Sequence, residues 1–278
     1  MAWTLTNAVG EHEAAAGSLL RRDPVAHTIA LTVLDGAKRV DDAVVFGYWT
    51  DDDGQVTGAV SRTPGFPWLI AELPDRSVRQ LAERVAHDAP AALVAGRADV
   101  AAHLAIQVAA CSGAVVRLRS VERLYRLSTL VPPFHPGGAP RVAETGDVPL
   151  LVPWFAAFQD EAGVVARDPE PLVRERVRDG LITLWEHTSG PVSLAGQVAP
   201  ACGVARIGPV YTPPEHRGRG YGAAVTAAAV QRALGDAADV VLFTDLTNAT
   251  SNALYARLGF VPVHDRAIFA FDTAATSP

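Results

Sequence analysis

Residues 43–62, AVVFGYWTDDDGQVTGAVSR, set two apolar runs on either side of a cluster of acids. The pattern predicts two strands joined by a turn that pivots at Asp53-Gly54. Upstream, Asp23-Pro24 supplies an N-cap and a first-turn proline, so VAHTIALTVL is expected to be helical from there. DRSVRQLAERVAHD has helical spacing and AALVAG reads as a strand. An alanine-rich helix reaching Cys111 and a strand, AVVRLRSVERLYRLS, complete this half.

The second half runs through the same succession. VPLLVPWFAAFQDEAG and DPEPLVRERVRDG are predicted helices, the latter starting at Asp168 before Pro169. LITLWEH and VSLAGQVAP form a hairpin about TSGP, and GVARIGPVYT gives the next strand. GAAVTAAAVQRALG is a helix with Gly235 expected in the left-handed C-terminal position. DVVLFTDL is a strand, SNALYARLG a short helix ending on Gly259, and FVPVHDRAIFAFD a last strand or hairpin. The shared order of elements points to an internal duplication.

Between the halves lies LVPPFHPGGAPR, whose four prolines and two glycines can neither continue a helix nor fill a central strand. The expected division is therefore a domain at 1–130, a linker at 131–141 and a second domain at 142–278.

Composition narrows the function. The 278 residues are 49% hydrophobic and 19% charged, as in a globular chain. The 30 acids and 24 bases divide into 15 against 13 before Pro132 and 15 against 11 after it. Neither half has the basic surface that nucleic acid requires. Two cysteines make no disulfide framework, and no two histidines lie within a helical turn, so no metal site is expected. The N-terminus is acidic where a signal peptide is basic, and no apolar run reaches the ~18 residues of a membrane span. A cytoplasmic protein with no membrane partner is the expectation.

The chemistry concentrates in VYTPPEHRGRGYGAAV, residues 210–225. Glycines among Arg217, Gly218, Arg219, Gly220, Tyr221, Gly222 and Ala223 let successive N–H groups turn inward at the start of a helix. That arrangement suits a pyrophosphate, with two arginines at its rim. Gly218, Gly220 and Ala223 also fit a dinucleotide spacing, with Asp239 or Asp245 as the ribose acid. TPPEHR between strand and first glycine, and the single short helix that remains afterwards, count against a nicotinamide-dinucleotide enzyme. Gly208-Pro209 predicts a bulge that splays the strand from its neighbour. Val210, Tyr211 and Thr212 would then offer backbone groups to an extended ligand. Amides at one end and a pyrophosphate at the other describe coenzyme A.

RGRGYG resembles the R/Q-x-x-G-x-G/A loop of the GNAT N-acetyltransferase superfamily, with Arg217, Gly220 and Gly222 at its defining places. NATSNALYARLGF is similar to that family's second signature, carried by Asn248, Tyr255, Gly259 and Phe260. The fuller wording resembles a bacterial subgroup of two-part acetyltransferases, firmly from about Val142 to Phe271. The resemblance implies an α/β (α+β) fold, a mixed and mostly antiparallel sheet with a splayed central strand, in two tandem halves. It implies acetyl-CoA as donor and direct attack by an amine. The 217–223 turn would hold the pyrophosphate. Val210, Thr212, Asn248 and Asn252 would meet the pantetheine arm, and Tyr255 would act as general acid on the leaving sulfur. Glu186 and Glu161, each beside aromatics, are the candidate bases. Trp154, Phe155, Phe158 and Trp185 are candidates for an acceptor wall.

The acceptor is expected to be a small-molecule amine, and a homodimer is open to the chain. A non-catalytic acyl-CoA sensor or scaffold is the alternative. In the first half, the glycine-turn equivalent is sought after AALVAG. There Gly96 and Arg97 remain but Asp99, Val100 and Ala101 stand where phosphate would need glycines, so one CoA per chain is expected.

Overall fold

The computed structural model describes residues 1–39, 43–89, 92–163 and 168–273, and in them twelve strands and eight α-helices. Their order repeats. The first half gives β1 (Ala2–Thr6), α1 (Val9–Leu20), α2 (Thr28–Ala37), β2 (Val45–Thr50), β3 (Val56–Arg62) and β4 (Trp68–Glu72). It continues with α3 (Val78–Ala86), β5 (Leu93–Arg97), α4 (Ala98–Ser112) and β6 (Val115–Leu127). The second half gives β7 (Ala139–Val142), α5 (Val148–Ala162), α6 (Glu170–Arg178), β8 (Ile182–His187), β9 (Gly190–Ala201) and β10 (Val204–Tyr211). Then come α7 (Tyr221–Ala233), β11 (Asp239–Asp245), α8 (Ala249–Arg257) and β12 (Phe260–Asp272). Element by element, β1 to β6 correspond to β7 to β12. Pairing repeats too: β4 with β5, and β10 with β11, are parallel, while the hairpins around them are antiparallel.

The chain divides into two compact units, Met1–Leu124 with Val263–Pro278, and Tyr125–Pro262. This differs from the expected boundary at 131–141. The Pro/Gly segment belongs wholly to the second unit, and the last strand crosses to the first. Within the first unit the sheet runs β1-β2-β3-β4-β5-β12-β6. Arg266 to Ala270 of β12 lie antiparallel to Arg97 to Leu93 of β5. Within the second unit it runs β6-β11-β10-β9-β8-β7, the first place taken by the end of β6.

The acidic hairpin forms as expected, with Gly54 at φ +76° and the Asp51 carboxylate accepting from Asp53 N and Gln55 N. Three expectations change. The α2 helix starts at Thr28, because Asp23 accepts from Ala26 N and closes a separate turn. β4 was not predicted at all. Prolines flank it (Pro67 and Pro74), yet Trp68 and Ile70 bury their side chains in the first core. Gly235 keeps a right-handed backbone, since Leu234, Gly235 and Asp236 carry α7 on into successive tight turns.

The second unit has a core on each face of its sheet. On one, α5 and α6 contribute Leu151, Phe155, Val173 and Val177 against Ile182, Leu184 and Leu194. On the other, α7 contributes Tyr221, Ala224, Val225 and Ala229 against Trp185, Val192 and Ile207, with Tyr255 of α8 and Leu258 at its C-cap. Complete burial of a Leu, Ile or Phe side chain contributes roughly 1.5–3 kcal/mol. The two faces therefore hold β10 from both sides, and its freedom is confined to its edges.

Candidate active site

β10 begins as an inner strand. Val204 to Ile207 pair with Asp239 to Leu242 of β11 on one side and with β9 on the other. At Gly208-Pro209 the register against β9 shifts, because proline has no N–H for the ladder. Pairing with β9 resumes at Val210 and Tyr211, but pairing with β11 has ended at Ile207. From Gly208 onward the strand keeps one neighbour and loses the other. On the side of β9 the Tyr211 carbonyl also accepts from Ser193 Oγ at 3.0 Å, and past the strand end that of Thr212 accepts from Arg217 Nε at 2.8 Å. The Tyr211 ring itself is core.

The strand feeds a short 3₁₀ turn, Pro214–His216, and then the glycine-rich turn. Gly218 and Gly220 have φ of +75° and +86°, and Gly220 is the N-cap of α7. This left-handed backbone, with no side chain in the way, presents the first N–H groups of a 13-residue helix at its positive end. A Cβ at Gly222 would stand 3.4 Å from Thr212 Oγ1, so the helix start is also tight against the strand end. Arg219 is exposed and makes no ion pair among the described residues. Arg217 differs: its guanidinium forks onto both oxygens of Glu161 at 2.7 and 2.8 Å and lies 5.7 Å from the Tyr211 ring centroid. Glu161 holds the Arg217 pKa up. Tyr221 turns its ring into the core, so only its backbone can meet a ligand.

The Pro/Gly segment expected to be a linker lines this site. A cavity of about 460 Å³ beside the turn is bounded by Pro132, Pro133 and Phe134 on one side and by Gly220, Ala223, Leu254, Arg257 and Leu258 on the other. Phe134 is 84% exposed, an unusual setting for an aromatic ring. That phenylalanine between prolines was the sequence signal for a wall.

The second signature builds α8. Asn248 is its N-cap, accepting from Ser251 N at 3.0 Å, which leaves its Nδ2 without a partner among the described residues. Asn252 is fully engaged. Its Nδ2 donates to the carbonyls of Asp245 and Asn248, and its Oδ1 accepts from the Tyr125 hydroxyl at 2.9 Å. Asn252 thereby ties α8 to β11 and to Tyr125 of β6. Tyr255 is 8% exposed, edge-on to Phe260 at 6.1 Å, and its hydroxyl has no hydrogen-bond partner among the described residues. Burial pushes its pKa up to about 12, so the phenol stays protonated.

Neither candidate base is free. Glu161 is clamped by Arg217. Glu186 pairs with Arg141, which also forks onto Asp147 at 2.7 and 2.8 Å. Nor do the four aromatics make one wall: Phe155 is in the α5/α6 core with Trp154 and Phe158 packed against it, whereas Trp185 is in the opposite core, donating to Gly137 O at 2.8 Å. Sequence reading missed Arg176 of α6, which donates to the Gly208 carbonyl at 2.7 Å, at the point where β10 comes loose. A central arginine in a helical run carries no sequence signal that marks it. Among the described residues no group of His, Cys, Asp and Glu is arranged to hold a metal.

Residues 152–260 match the model of the Acetyltransferase (GNAT) family. No curated protein matches the chain in sequence. Among solved structures, a tandem GNAT protein from the clavulanic acid biosynthesis pathway is 17% identical over 100% of both chains, with a TM-score of 0.60. A GNAT-family acetyltransferase from Colwellia psychrerythraea is 11% identical, covering 98% of this chain and 100% of its own, at 0.58. A Drosophila protein is 14% identical over 98% and 99%, at 0.71. Such identities carry the fold alone. The glycine turn, the loosened strand and the α8 signature all lie inside the segment, residues 152–260, that matches the Acetyltransferase (GNAT) family, and the solved GNAT structures share the fold.

Proposed function

We propose that the chain moves an acetyl group from acetyl-CoA to the amine of a small molecule by direct attack. The observation that carries this reading is the end of β10–β11 pairing at Ile207, on the strand that leads through a glycine-rich turn into the N-terminus of α7. The turn from Arg217 to Ala223 takes the pyrophosphate, with Arg219 adding charge. Val210 and Thr212 take the pantetheine along the opened edge, and Asn248 meets it with its unpartnered Nδ2. The amine nitrogen bonds to the thioester carbonyl carbon, the C–S bond breaks, the nitrogen loses a proton and the sulfur gains one. Tyr255 supplies the donor to that sulfur. With its pKa near 12 the phenol is a weaker acid than a thiol of about 8.5, so it protects the thiolate by a hydrogen bond and gives up its proton only while charge builds there.

No base is assigned, since Glu161 and Glu186 are both held by arginines. The amine enters neutral or hands its proton to water. The test is a mixed-amine screen with acetyl-CoA, following acetylated products by mass and free CoA by thiol release. The expected result is one amine class acetylated well above background. A tight acetyl-CoA complex with no product in any amine would make the protein a sensor or scaffold instead.

A further inference from the structure

Of three arginines in this unit, two have their acids: Arg217 holds Glu161, and Arg141 of β7 holds Asp147 and Glu186. The third has none. Among the described residues Arg176 makes no ion pair; it donates one hydrogen bond, to Gly208 O, and lies 5.9 Å over the Phe155 ring. Its place has been cleared for it. A Cβ on Gly196 of β9 would stand 3.0 Å from Arg176 Nη1, 2.9 Å from Gly208 O and 3.0 Å from Pro209 Cδ. The guanidinium thus fits into a notch that exists because position 196 has no side chain.

Holding one backbone carbonyl needs one neutral donor. Arginine brings five N–H groups and a permanent charge, and setting a charge in a partly buried place without a counterion is costly. Burial draws the Arg176 pKa down, to about 10, which still leaves it cationic at neutral pH. A fixed, unmatched fork of this kind is suited to a carboxylate that arrives with a ligand.

Its position says which ligand. On the acetyl-transfer reading, on which this inference rests, the pyrophosphate sits at the turn after β10 and the pantetheine runs back along the opened edge. The thioester then falls where that edge closes again, at Ile207–Gly208 beside Leu242. Arg176 donates to the Gly208 carbonyl at that point of the chain, from the side of β9. We infer that the acceptor bears a carboxylate as well as its amine, as an amino acid or related amino-carboxylic acid does, and that Arg176 anchors it. The anchor fixes the amine beside the thioester and substitutes for contacts that a free catalytic carboxylate could not make without repelling the ligand.

The experiment compares common α-amino acids with their decarboxylated amines and carboxamides as acceptors for the full-length protein. The acid is expected to exceed its matched amine by at least roughly a hundredfold in kcat/KM, since a site built for a polar group rejects the analogue lacking it. Arg176→Gln should erase that preference by raising the acceptor KM, with KM for acetyl-CoA unchanged, and Arg176→Lys should restore part of it. Should Arg176→Gln not fold, the matched pairs on the wild type decide alone. Decarboxylated amines accepted as well as their acids would overturn the inference while leaving acetyl transfer standing. A preference that survives intact in a folded Arg176→Gln would do the same. No acetylated product in any arm, with no CoA bound by calorimetry, would bring down the transfer reading itself.

Discussion

Tyr255 was legible as a candidate because the signature names its place, but its environment was not. Only the fold shows that it is enclosed and that its hydroxyl is unpartnered among the described residues. Tyr255→Phe removes one hydroxyl and almost no packing area. If the phenol meets the leaving sulfur, kcat should drop by roughly tenfold to ten-thousandfold with CoA affinity little changed. The same residue makes a stability prediction. A pKa raised from 10 to about 12 means the unfolded chain loses this proton first as pH rises. Stability present below pH ~10 is then lost towards pH ~12, by about 3 kcal/mol for this group. Urea titrations across that range should show the wild type losing stability that Tyr255→Phe keeps; parallel curves would show that the phenol is not enclosed. Gly220 is a second residue-scale test. Gly220→Asp would put a carboxylate near the pyrophosphate, worth about 4 kcal/mol of repulsion at 4 Å and an effective dielectric of 20. CoA binding should weaken by roughly a thousandfold by calorimetry with the circular dichroism retained. Undiminished binding would place the pyrophosphate elsewhere. The two glutamates show the limit of residue reading: aromatics beside an acid are visible in one dimension, whereas Arg217 reaches Glu161 across 56 positions and Arg141 reaches Glu186 across 45.

At the scale of elements, Gly208-Pro209 announced a broken ladder because both residues act through the backbone, which local sequence dictates. β4 was hidden for the converse reason: Trp68–Glu72 is short, flanked by turns, and is a strand only because β3 and β5 lie on either side of it. Missing it displaced the comparison of the two halves by one element. The partner of β10–turn–α7 is β4–turn–α3, not β5–α4. The fate of β12 was equally unreadable, since an apolar alternation does not say which neighbour it will pair with. Its pairing with β5 makes a prediction about truncation. Ending the chain at Pro262 deletes Val263 to Asp272 from the first unit and exposes the edge of β5, with Ala267, Ala270 and Phe271 removed from buried positions. The shortened chain should aggregate or lose its first unfolding transition in a thermal melt. A melt that matches full length would mean that β12 contributes nothing to that unit.

Across the whole molecule, duplication was visible as a rhythm of elements, and the structure extends it to strand pairing, with a parallel pair in each half. The halves have nonetheless diverged in chemistry, and the corrected alignment shows where. In the first unit the segment equivalent to the glycine turn is Leu73-Pro74-Asp75-Arg76-Ser77, between β4 and α3. It contains no glycine, and Asp75 puts a negative charge at the helix start where a phosphate would need donors. The turn is also closed from within. Ser77 is fully buried, its hydroxyl donates to Pro74 O at 2.7 Å, and its carbonyl accepts from Trp3 Nε1 at 3.0 Å. Admitting a pyrophosphate would break these bonds and bring like charges together in a partly desolvated place. The expectation of a single cofactor site, first drawn from Asp99, thus rests on a different segment and a stronger reason. Calorimetric titration of the intact chain with CoA should give a stoichiometry near one, and Gly220→Asp alone should abolish the signal. A second CoA retained in that mutant would show that the first unit had kept a site by some route other than the turn at 73–77.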